Sequence, residues 1–145
     1  MIAFPGSRFS AVLQPLSGFI GRSQLLALTH ALSGEEGPHF EEILRALADR
    51  IAGAPRSYET DGQGAQARAV LHYFKGGCDW WIVELDAGAD GDRAEDFQSQ
   101  AFGVASLGFE PELGYISIPE LLRAGAELDL YFTPRAVGEI LEGAR

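Results

Sequence analysis

The sequence is poor in the residues that build cross-links, metal cages and phosphate-tracking surfaces. It holds one cysteine, Cys78, so an internal disulfide and a four-cysteine zinc cage are both excluded, and a reducing compartment, the cytoplasm, is the expected home. Only one of its 11 basic residues is a lysine, Lys75, and no stretch clusters arginine. That weighs against direct nucleic-acid binding, which needs a run of cations facing phosphates. No apolar run approaches the ~18 residues of a membrane-spanning helix. The N-terminal stretch is interrupted at Pro5, Gly6, Arg8, Gln14 and Pro15, where an export signal carries an unbroken apolar region. Neither a membrane partner nor export is expected.

The residues present suffice for a packed core. With 145 residues, 46% hydrophobic and 22% charged, the chain fits a single globular domain, residues 1–145, about 100–200 residues being a common domain size. Its charge is uneven. Residues 1–57 hold five acids and five arginines, whereas residues 58–145 hold the other 16 acids against six bases, so the net charge of −10 resides in the second segment. Such a field suits a basic partner, including a protein that itself binds DNA, and it also keeps a small protein soluble.

Periodicity divides the chain the same way, into a helical part (1–57) and an acidic, sheet-rich part (58–145). Leu25, Leu28, Thr29 and Leu32 recur at helical spacing over residues 22–32, with Ser23 as candidate N-cap. Phe40, Ile43, Leu44, Leu47 and Ile51 form one apolar stripe that starts after Pro38 and stops at Gly53. From residue 67 the pattern is β. Two strands, 68–75 and 78–86, flank Gly76-Gly77, a two-residue loop of the kind tight hairpins favour, which pairs Tyr73 with Trp80 and His72 with Trp81. Leu71, Tyr73, Trp80 and Ile82 then share one face; Val70, His72, Phe74, Trp81, Val83 and Leu85 share the other. Further strands are expected near 100–106, 113–116 and 129–132. A short helix opens on the capping box of Ser117 and Glu120, and a last one carries Val137, Ile140 and Leu141. The fold class is α+β: about five mostly antiparallel strands with N-terminal helices and a short C-terminal helix packed on them.

No catalytic constellation emerges. The pleat separates Cys78 from His72, His30 and His39 lack zinc-ligand spacing, and Ser106 lacks the preceding glycine of a nucleophile elbow. The acid-rich stretch after Asp86 matches a calcium loop at Asp86, Asp90 and Gly91, but Gly88 and Phe97 stand where ligands belong. No cofactor or metal is expected. Trp80, Trp81, Tyr73, Phe74, Phe102 and Tyr115 read as core rather than as a base-stacking platform, because this half of the chain is anionic. Glu84 falls on the face of Trp80 and Ile82, emerging at the sheet rim.

An ordered set of segments carries a family likeness: Tyr73-Phe74, Trp80 to Asp86, Phe102-Gly103-Val104, the Glu-Leu-Gly-Tyr run from Glu112 to Leu121, and Asp129-Leu130-Tyr131-Phe132-Thr133-Pro134. Over residues 66–135 the chain resembles the domain of unknown function 2958 family. The resemblance implies a small bacterial or phage-borne protein of plasmid and other mobile-element regions, near replication, partition or antirestriction genes. It brings no activity and no catalytic set.

Two function classes follow. The first is a non-catalytic accessory or interaction protein of a mobile element, binding a basic or DNA-handling protein through one anionic surface of Asp90, Asp92, Glu95, Asp96, Glu110, Glu112, Glu127 and Asp129. The second is a small metal-dependent hydrolase or nuclease using carboxylates, with Glu84, Asp86 and Glu112 as its candidates.

Overall fold

A computed structural model describes residues 9–88 and 97–143. The fold is α+β. Three helices, α1 (Ser10–Leu13), α2 (Arg22–Leu32) and α3 (Gly37–Ala52), precede the strands β1 (Arg68–Ala69), β2 (Leu71–Lys75), β3 (Cys78–Glu84), β4 (Ala101–Ser106) and β5 (Glu112–Ile116). Then come α4 (Ile118–Arg123), β6 (Glu127–Leu128), β7 (Arg135–Ala136) and α5 (Val137–Leu141). The main sheet is antiparallel in the order β5-β4-β3-β2-β6, and β1 pairs with β7 in a separate two-stranded ribbon.

The hairpin register is the expected one: Tyr73 faces Trp80 and His72 faces Trp81 across Gly76-Gly77. Gly76 adopts φ 57°, the left-handed conformation such a loop requires. The apolar stripe of α3 also behaves as its spacing dictates. Leu44, Leu47 and Ile51 are buried in a core with Leu71, Tyr73, Ile82 and Leu128, and Phe40 and Ile43 pack half-buried at its margin. Leu47→Ala is expected to cost about 2–5 kcal/mol in urea denaturation, the usual cost of a cavity at a filled site.

Four expectations need correction. Ser23 does not cap α2; the helix spans Arg22–Leu32 as its periodicity dictates, and the N-cap is Gly21, two residues before Ser23, extended, with its carbonyl accepting from Leu25 N at 2.9 Å. The strand expected over 68–75 breaks at Val70. Ala69 turns away to pair with Arg135, and Val70 joins the core under the helices instead of the face of His72. A β-bulge between Ile82 and Glu84 reverses the alternation beyond it, so Leu85 enters the core of Leu71 and Ile82 while Glu84 stands opposite Phe102. Finally, 129–132 is a turn and the edge strand is Glu127–Leu128. Asp129 initiates that turn: its side chain accepts from Tyr131 N at 3.0 Å, a local bond that competes with strand pairing.

Tyr73 ties the two halves together, donating from its hydroxyl to Phe19 O at 2.6 Å inside the core. Burial pushes this phenol far above the ordinary tyrosine range. A group whose folded pKa is raised gives stability that is complete below its unfolded pKa, near 10, and is lost as pH climbs above it. Alkaline unfolding is therefore expected to steepen above about pH 10. Tyr73→Phe should flatten that limb while lowering stability at neutral pH by about 1–2 kcal/mol, because the Phe19 carbonyl loses its donor. Thermal melts across pH check both.

Candidate interaction surface

The two faces of the main sheet are covered unequally. One is closed by α1, α2 and α3. On the other, a second core of Ala69, Trp81, Val83, Val104, Val137 and Ile140 forms where α5 and β1 pack, but this cover stops short of β5. Leu113, opposite Val104, is 52% exposed, and Tyr115, opposite Phe102, is 61% exposed. Tyr115 is therefore not a core residue, contrary to the reading of its segment. Among the described residues, the short cover made by α5 and β1 leaves the edge strand open.

Beside Tyr115 stands Tyr58, 66% exposed. The Tyr115 hydroxyl donates to that of Tyr58 at 3.4 Å, and this bond with the neighbouring phenol is the leading cause that raises the Tyr115 pKa. The repulsion of Glu84 and Asp61 adds to it, marking the surroundings as anionic. Tyr58 is held with φ 69°, a region that aromatic side chains rarely occupy and that costs of the order of 1–3 kcal/mol. What holds it is Glu84. Buried by the bulge rather than emerging at the rim, Glu84 accepts from Tyr58 N at 2.8 Å, from Thr60 N at 2.9 Å and from the Thr60 hydroxyl. The surrounding fold over-determines a strained residue whose ring faces solvent.

The two edges of the sheet also differ. At β6 the side-chain amide of Gln24 acts as a substitute strand: its Nε2 donates to Leu128 O at 2.8 Å and its Oε1 accepts from Leu128 N at 2.9 Å. At β5, among the described residues, no turn, loop or side-chain hydrogen bond reaches the backbone of Glu112–Ile116. Between the β4–β5 turn and α5 lies a cleft of about 330 Å³ with Trp81, Pro111 and Ile140 among its walls and Glu110 and Glu142 among its polar groups. Phe109, also lining it, is 84% exposed.

Of the eight acids expected to form one surface, Asp90, Asp92, Glu95 and Asp96 lie outside the described residues. The structure divides the other four. Glu112 on β5 and Glu127 on β6 sit at opposite edges of the five strands, about 19 Å apart at ordinary strand spacing, well beyond the ~8 Å over which physiological salt screens charge. Glu110 belongs with Glu112, and Asp129 with Glu127. Asp129 is not a free surface acid: its Oδ2 lies 2.9 Å from Nδ1 of His72, whose Nε2 lies 2.8 Å from Asp79. With both ring nitrogens engaged and its ring stacked on Trp81 at 5.2 Å, His72 is a structural residue. The sequence held a signal for half of this cluster, since the hairpin register sets Asp79 diagonal to His72 on one face.

The carboxylates proposed for metal chemistry do not converge. Glu84 lies opposite Phe102, while Glu112 lies opposite Ala105, three residues along β4. Asp86 accepts from Gly88 N at 2.8 Å and Gln100 N at 3.1 Å. Among the described residues, no group of three or more His, Cys, Asp or Glu side chains is placed to hold a metal ion, and no helix is long and apolar enough to cross a membrane. No family model, curated protein or solved structure matches the chain.

Proposed function

We propose that this protein is a non-catalytic interaction protein of the cytoplasm that binds a basic protein partner through the open side of β5. The observation that carries this reading is the exposed aromatic pair Tyr58 and Tyr115, one of them held in strained geometry by a buried carboxylate. Strain that serves no packing purpose is characteristic of ligand clamps, and exposed tyrosines beside carboxylates suit cationic side chains. The sequence resemblance adds the context of a mobile-element accessory, for which a DNA-handling protein is the fitting partner.

Affinity capture from a bacterial host, repeated over a salt series, tests this. Capture should weaken markedly with added salt and should fail with Tyr58→Ala and Tyr115→Ala. A partner retained equally by the double variant, or one indifferent to salt, would refute it.

A further inference from the structure

We infer that β5 takes an extended basic segment of the partner as a sixth strand of the main sheet, and that this segment carries the pattern cation, spacer, apolar residue, spacer, cation. The inference rests on the interaction reading above and specifies its mode. Strand β5 ends the sheet, and among the described residues its outer backbone groups meet no other part of the chain. Its only charged residue is Glu112, the first, and it has neither proline nor bulge within it. Natural sheets commonly blunt such edges. This one closes its opposite edge with Gln24 and leaves β5 open.

The side chains beside the edge set the pattern. Residues of an added strand that point to the uncovered face alternate with those that do not, and they stand opposite Tyr115, then Leu113, then Pro111. Opposite Tyr115 is an aromatic pair with Asp61 among the charges acting on it, which suits a cation over the rings. Opposite Leu113 is exposed apolar surface. Beyond Pro111 is the cleft, apolar at Trp81 and Ile140 and carboxylate-lined at Glu110 and Glu142, which fits the long stem and charged head of arginine or lysine. A second copy of the chain fits poorly. Over residues 107–117 its charged residues are Glu110 and Glu112, and each copy carries −10, so pairing would set carboxylates against carboxylates.

The probe is a synthetic peptide with the core Arg-Thr-Val-Thr-Arg, added to the full chain and followed by amide NMR and hydrogen exchange. Amides within 112–116 are expected to gain about tenfold or more in protection, and affinity should fall about tenfold in Tyr58→Ser with Tyr115→Ser, and again in Glu110→Gln with Glu142→Gln. Unchanged β2–β3 amide shifts verify the fold of each variant. A peptide N-methylated at the valine and at both threonines, which removes the ladder donors whichever way the added strand runs, should not bind; equal binding would overturn strand addition. Equal binding of the glutamate analogue would overturn the charge pattern. Protection of 112–116 that rises with protein concentration alone would assign the edge to a second copy. If a cellular partner is captured through Tyr58 and Tyr115 while 112–116 stay unprotected, strand addition falls and the interaction reading stands.

Discussion

Replacing Gly103 by alanine is expected to destabilise the protein by about 3 kcal/mol or more, beyond the usual range for one added methyl in a core. Gly103 lies opposite Ile82 in the central β3–β4 pair, beside the bulge. A Cβ built there would sit 1.9 Å from Trp81 O, 2.9 Å from the Trp81 carbonyl carbon and 3.1 Å from Ile82 Cα. All three are backbone atoms, so no rotamer change makes room; the strands must separate in the middle of the sheet. Gly114, directly opposite Gly103 on β5, has nothing within 4 Å of the same position. Gly114→Ala should therefore change stability by less than about 1 kcal/mol. Urea denaturation of the two variants side by side separates steric exclusion from the general weakness of glycine in strands. Similar losses for both would show that the close approach at Trp81 does not matter.

The same position shows how far the sequence could be read. A lone glycine within a strand pattern signals either a bulge or a close backbone approach, yet nothing local says which residue of the neighbouring strand makes room for it. The hairpin was legible because Gly76-Gly77 fixes the register and alternation carries it outward, as far as Ile82. Past the bulge, alternation misplaces both Glu84 and Leu85. The stripe of α3 was legible because it repeats over about three turns against one core. The candidate site was not. Tyr58 and Tyr115 are 57 residues apart, and they meet only because a bulge turns Glu84 toward the loop that carries Tyr58. Gln24 and Leu128, which close the other edge, are 104 residues apart. Neither pairing leaves a periodic trace.

Glu84 is thus the residue on which site and fold both depend, and Glu84→Ala is expected to cost about 3–5 kcal/mol. It would strand two backbone N–H groups and one hydroxyl, each a loss of about 1–3 kcal/mol when buried. Glutamine is no conservative replacement here. One carboxylate oxygen takes Tyr58 N and the other takes Thr60 N with its hydroxyl, so wherever the amide nitrogen is placed it faces an N–H donor. Glu84→Gln should still cost about 2–4 kcal/mol, given the greater strength of bonds to charged acceptors. The effect should also be local. With its anchor removed, Tyr58 is expected to relax from φ 69° toward the ordinary β or α region, because the left-handed geometry has no intrinsic support in a tyrosine. Hydrogen exchange should then quicken at residues 58–60 before it quickens in β2 and β3, and partner capture should fall as it does in Tyr58→Ala even at temperatures where the sheet is intact. If both Glu84 variants kept wild-type exchange at Tyr58 and Thr60, the carboxylate would not be what holds the loop, and the aromatic pair would owe its geometry to contacts with the sheet alone.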